Sequence, residues 1–250
     1  LASRFLHRWR GVLLSLIGIV AVIWLAFTDQ LGLYIHPRYF IFTVIMAVIA
    51  GLFVLLAFLL PPQTGSEQHE NESPPRGAWL WVPANIVLIV VTAAGMLALP
   101  PTTLTTATVS QRDINGSATS SVQDDAITLV GGDDSVLTVK DWAGLLRQGA
   151  DETSLAGKSP TLVGFVTPDP DDPTNVFYVA RFIITCCAVD AQPVGVPVYL
   201  PDWQDQFAVD EWVSVTGAFV SNPSSSSLQG IVLSPSDISS TDRPAQPYVY

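Results

Sequence analysis

Phe40 to Leu60 is a run of 21 residues without a single charged side chain. Nothing else in the chain restricts its fold so strongly. A run of this length and polarity matches the hydrocarbon core of a bilayer when helical. It stops at Pro61-Pro62, which cannot continue a helix. Two further apolar runs flank it, Gly11–Phe27 and Leu80–Leu99, the second closed by Pro100-Pro101. Only 13% of residues are charged, about half the share of a soluble domain. The chain therefore reads as a membrane domain over 1–100, with spans at about 11–27, 40–60 and 80–99. The first run follows Arg4, Arg8 and Arg10, as a signal peptide would. It exceeds the usual h-region and lacks a small-residue cleavage site, so a retained helix is expected.

Charge divides the chain. Residues 1–100 hold five basic and four acidic residues, while 101–250 hold six basic and eighteen acidic, a net of −12. Nucleic acid binding draws on basic surface and counterion release, so no nucleic acid partner is expected. The three N-terminal arginines outnumber Arg38 in the first loop, which orients the N-terminus to the cytoplasm and, with three spans, the C-terminal region outside. The expected location is the bacterial cytoplasmic membrane. Small residues recur as Gly11-x-x-x-Ser15, Ala47-x-x-x-Gly51 and Ala94-x-x-x-Ala98, a spacing that permits close helix approach.

Residues 101–136 are rich in Thr, Ser, Asn and Asp and read as a polar stalk. Thr138–Gln148 has helical periodicity, with Thr138 and Asp141 at capping-box spacing. From Gly157 the pattern becomes short strands: Thr161–Thr167, Val176–Cys186, Val194–Leu200, Trp212–Val220 and Leu228–Leu233. Five strands in so short a stretch fit an extracytoplasmic OB-like β-barrel domain over 137–238, followed by an extended tail over 239–250. The expected fold class is thus an α+β membrane protein: three N-terminal transmembrane helices, one short helix, then a small all-β barrel.

Cys186 and Cys187 are the only cysteines, side by side. Strand alternation puts Cys186 on an apolar face with Phe182 and Ile184, and Cys187 on a face with Arg181 and Thr185. Three roles fit the pair. It can be a functional thiol pair clamping a soft ion or thiophilic compound, a buried structural pair, or a strained vicinal disulfide. A shared ligand requires that the strand end near the cysteines, and the turn-rich Ala188–Pro193 supplies an end. Asp190 is the nearest third donor. Arg181 shares a face with Cys187 but stands about 20 Å away along a straight strand at ~3.3 Å per residue, and reaches that thiol only if the strand bends sharply. No histidine follows His69, so a Cys2His2 zinc site is excluded for this region. No catalytic set is found, and a non-enzymatic role is expected. Asp171-Asp172, in a proline-rich turn, reads as solvated loop.

The block Ala180-Arg-Phe-Ile-Ile-Thr-Cys-Cys-Ala-Val-Asp-Ala-Gln-Pro-Val-Gly195, with Gly164-Phe-Val166 before it and Pro247-Tyr-Val-Tyr250 after it, resembles the YcgQ-type bacterial membrane proteins. The resemblance extends through the N-terminal helices. It implies an accessory subunit paired with a larger polytopic permease, and singles out Arg181, Cys186, Cys187, Asp190 and Gly195. On this reading the outer domain binds or gates a thiophilic solute or a soft metal ion, with Cys186 and Cys187 as metal ligands and Asp190 and Arg181 beside them. No cofactor is required by the sequence. The rival readings are an envelope thiol oxidoreductase and a purely structural interaction module.

Overall fold

The computed structural model describes residues 2–59, 87–92, 94–95, 104–116 and 137–250. They form two compact units, Leu1–Thr102 and Thr103–Tyr250.

In the first unit, α1 (Ala2–Phe27) and α2 (Phe40–Leu59) are joined by a loop containing two short 3-10 turns. The chain reverses at Asp29, which adopts a left-handed φ of 56°. Pro37–Ala57 is long and apolar enough to cross a membrane; Val12–Phe27 is apolar but shorter. Of the third expected span, residues 87–92 and 94–95 are helical and the rest lies outside the described residues. Among the described residues there is thus one candidate membrane helix where three are expected. The small-residue spacing at Ala47 and Gly51 does serve helix contact. Ala47 is buried, and a Cβ at Gly51 would lie 4.0 Å from Ile19 of α1. The lipid-type side chains Ile41, Phe42, Leu52 and Phe53 are exposed.

The second unit is built on a closed five-stranded barrel. Its strands are β1 (Thr161–Pro168), β2 (Val176–Ile183), β3 (Gln192–Tyr199), β4 (Trp212–Ser221) and β5 (Ile231–Ser240). Antiparallel ladders join β1 to β2, β2 to β3, β1 to β4 and β4 to β5. A single parallel bridge, Val198 to Leu233, closes the ring between β3 and β5. The order β1-β2-β3-β5-β4 is the closed sheet that an OB-like reading requires, and closure removes the exposed edges of an open sheet. β1 serves two neighbours by bending. It pairs with β4 up to Phe165 and with β2 from Phe165 onward. Gly164 makes the bend possible, since a Cβ there would lie 2.6 Å from the carbonyl oxygen of Ala180.

The interior is filled by Leu162, Val166, Phe177, Val179, Val196, Val198, Val213, Val215, Phe219 and Leu233. A short helix, α4 (Val139–Arg147), packs its apolar face onto this core. Trp142 is 1% exposed and its ring lies 5.2 Å from that of Phe219. The expected cap is present: the Asp141 carboxylate accepts from the Thr138 N–H at 2.8 Å and from its hydroxyl at 2.7 Å.

Three segments differ from the sequence expectation. β2 ends at Ile183, three residues before Cys186. β5 runs from Ile231 to Ser240, later than expected, and leaves Leu228 exposed. The tail forms β6 (Tyr248–Val249), which lies parallel to the end of β2 where β1 has turned away.

Residues 104–116, assigned by composition to a stalk, are a fourth difference. They lie along β3 as a strap that includes the one-turn helix α3 (Thr106–Val109). Asn115 carries the attachment. Its backbone N–H donates to Pro193 O at 2.9 Å. Its side-chain amide both donates to Gly195 O at 2.9 Å and accepts from Gly195 N–H at 2.8 Å. An asparagine side chain thus supplies the peptide-like partner that β3 lacks at this edge. Gly195 sits in a tight place: a Cβ would lie 3.1 Å from Tyr178 and 3.2 Å from Ile114, and these side chains would have to give by a few tenths of an ångström. Residues 117–136, the rest of the expected stalk, lie outside the described residues.

Candidate functional site: a vicinal thiol loop on the barrel rim

Between β2 and β3 the chain makes a compact loop, and one side chain shapes it. The Asp190 carboxylate accepts from three successive backbone N–H groups. Oδ1 takes Thr185 at 3.2 Å, and Oδ2 takes Cys186 at 2.7 Å and Cys187 at 3.4 Å. Cys187 occupies the N-cap of the 3-10 turn Ala188–Asp190, and Asp190 N–H returns a bond to Cys187 O at 2.9 Å. Three N–H groups aimed at one carboxylate cannot also sit in a strand ladder. That is why β2 stops at Ile183.

The consequence is convergence. One ligand atom from each of Cys186, Cys187 and Asp190 lies within 4.8 Å of the others. The strand alternation that separated the thiols is broken before it reaches them. Cys186 is exposed and Cys187 half-buried, and both thiols are free. Of the three roles open to the pair, burial on an apolar face is therefore set aside, and core packing does not account for either cysteine. Desolvation, and next the neighbouring Cys187, push the Cys186 thiol above its ordinary pKa. A thiol protonated at neutral pH is a weak nucleophile, so Cys186 is not the acidified cysteine of a disulfide exchanger.

Arg181 does not join this group. Its guanidinium donates to the carbonyls of Gln246 at 2.7 Å and Pro247 at 3.1 Å, and lies 5.6 Å over the Trp212 ring. It fastens the tail beside β2. Burial lowers its pKa, a direction consistent with a half-buried cation held by neutral carbonyls. Gly195 is likewise structural, receiving Asn115.

Sequence reasoning missed one neighbour of the loop. Arg112, on the strap, donates from Nη2 to the Val189 carbonyl at 3.0 Å. Among the described residues its Nη1 is buried without an acceptor. Arg112 is the only Lys or Arg between Arg76 and Lys140. That isolation is the signal that was available.

The barrel's other rim is closed. In OB-type barrels the β1–β2 and β4–β5 loops frame oligonucleotide sites. Here they are tied together. Asp172, 6% exposed, accepts from the Ser224 hydroxyl and from Asn175 Nδ2 at 2.9 Å. Asp169, fully buried, accepts from Ser227 Oγ at 3.2 Å and from the N–H groups of Asp171 and Asp172. The hydrogen bonds from Ser224 and then Asn175 hold the Asp172 carboxyl below the usual range. Asp172 is thus a buried structural anchor, not the solvated loop residue expected from its proline-rich surroundings.

Two models of one family match the chain: the DUF1980 N-terminal domain over residues 10–115 and the DUF1980 C-terminal domain over residues 136–250. The thiol loop, β1–β6 and α4 fall in the second. The strap residues 104–116 fall within or just beyond the end of the first. No curated protein and no solved structure matches the chain.

Proposed function

For this chain, which belongs to the DUF1980 family, we infer the role of a membrane-anchored accessory subunit that captures a thiophilic solute. The apolar helices hold the protein in the bacterial cytoplasmic membrane. The barrel lies on the outer side, and the loop of Cys186, Cys187 and Asp190 takes the solute there and passes it to or from a larger polytopic permease.

The observation that carries this reading is the convergence of two free thiols and a carboxylate on one solvent-reached loop. The apolar stretch Pro37–Ala57 supports the membrane anchor. Three spans, with the first and third completing the set, would put the barrel opposite the N-terminal arginines. The resemblance carried by the Ala180–Gly195 block supports the permease partner. No chemistry on a substrate is required, so the role is binding and not catalysis. A thiol oxidoreductase is disfavoured by the adjacent spacing and by the raised Cys186 pKa.

The test is cellular. A strain whose only copy carries Cys186→Ser and Cys187→Ser should show the same altered accumulation of cadmium, used as a thiophilic probe, as a strain lacking the protein. Wild-type accumulation in the double variant, at normal protein level, would remove the thiols from the function.

A further inference from the structure

We propose that the thiol loop takes a borderline-soft divalent cation, of the zinc and cadmium class, with Cys186, Cys187 and Asp190 as three ligands. This rests on the reading of the loop as a thiophilic site and narrows it to a metal.

The donor set favours such an ion. Two sulfurs and one carboxylate oxygen within 4.8 Å suit a cation that accepts both thiolate and oxygen. Asp190 has capacity for the role. A carboxylate offers about four lone-pair positions, and three are used by the N–H groups of Thr185, Cys186 and Cys187. A tetrahedral ion held by three protein donors keeps one position open, which is the pattern of exchangeable sites and not of structural ones. Exposed Cys186 leaves that position open to water or to a ligand from a partner.

Binding follows M2+ + 2 Cys–SH + Asp–COO− → [M(S–Cys)2(OOC–Asp)]− + 2 H+. Two protons leave as two positive charges arrive, so the net charge of the loop is the same before and after, and a neighbouring cation such as Arg112, which holds the loop through Val189 O, does not by its charge favour the ion. What separates a metal from a ligand of the thiols alone is the third donor, the Asp190 carboxylate.

The experiment uses the full chain in detergent with two probes, Cd2+ and phenylarsine oxide. The arsenical forms a neutral product, C6H5AsO + 2 Cys–SH → C6H5As(S–Cys)2 + H2O, and so needs both thiols but no third donor. The expected result is that Asp190→Asn weakens Cd2+ about tenfold or more and leaves phenylarsine oxide within about twofold. Equal Cd2+ affinity for Asp190→Asn and wild type would overturn the role of Asp190 as a ligand. Should Asp190→Asn fail to fold, the wild-type protein still decides the ligand class. Binding of the arsenical without Cd2+ would end the metal proposal and leave the thiol site standing; binding of neither would remove both.

Discussion

Gly217→Ala is expected to unfold the barrel at temperatures where the native protein is stable. A Cβ at this position would lie 2.2 Å from the carbonyl oxygen of Ser234 and 2.9 Å from the Cα of Pro235. Both are backbone atoms of β5, so no side chain can move aside. The local architecture explains the demand. β5 carries Pro235 in its interior, where a proline cannot donate to the ladder. The strand tolerates it at a bulge, the register shifting between Thr216 and Gly217 so that Asp237 faces Thr216 and Pro235 faces Gly217. Glycine lets the proline-bearing strand approach. Forcing a methyl group into this contact costs on the order of 3 kcal/mol. For a barrel of this size that lowers the melting midpoint by roughly 10–20 °C. Gly230→Ala is the control, because nothing lies within 4 Å of its would-be Cβ. Equal melting of the two variants would contradict the close approach at Gly217.

Asp190→Ala should give the opposite pattern, a large loss at the site with little loss of fold. The variant removes one acceptor shared by three N–H groups. Thr185 and Cys186 are exposed, so water can replace that acceptor and the barrel should melt nearly as before. The thiols, however, lose what holds them on one side of the loop. Affinity for phenylarsine oxide should fall by about tenfold from lost preorganisation. Cd2+ affinity should fall by on the order of a hundredfold, since a ligand disappears as well. Asp190→Asn retains an oxygen for the Cys186 N–H but no charge. It should recover the arsenical and not the metal. Unchanged binding of both probes by Asp190→Ala, measured on the full chain, would show that the carboxylate shapes nothing.

How much of this could be read from the chain alone depended on where each element's stabilising partner lies. β1 and β4 announce themselves by apolar residues in short runs between turn residues, and their bounds fall within a residue of the expected ones. β5 does not. Its sequence Ile-Val-Leu-Ser-Pro-Ser-Asp-Ile-Ser-Ser is largely polar after its third residue, with Ile238 the exception, and it is a strand because it pairs with β4 over its length. β6 has two residues and exists only through β2. The strap was misread for the same reason. Its polar composition signals disorder when its hydrogen bonds are assumed to go to water, but Asn115 spends them on β3. At the site, the residues were legible and their geometry was not. Alternation carried past Ile183 separates the two thiols, whereas the Asp190 carboxylate ends the strand and brings them together. A local cue was present, since Cys187 and Asp190 stand at the spacing of an N-cap and its third helical position. Arg181 was the reverse case. It is close to the cysteines in sequence but is held by Gln246 and Pro247, from the far end of the chain.

The claim on which the account depends is that Cys186 and Cys187 act as one site, and a double-mutant cycle on phenylarsine oxide binding measures it. Wild type, Cys186→Ser, Cys187→Ser and the double variant are compared as full chains in detergent, with melting followed in parallel. A ligand bridged by two sulfurs loses its advantage when either is removed. Each single variant should therefore lose at least about a hundredfold in affinity, and the double variant should be no worse than either, a non-additivity that marks a shared site. Melting should change little in all three, because neither cysteine is buried. Near-native affinity in Cys187→Ser, or losses that simply add, would show two independent thiols and contradict the account.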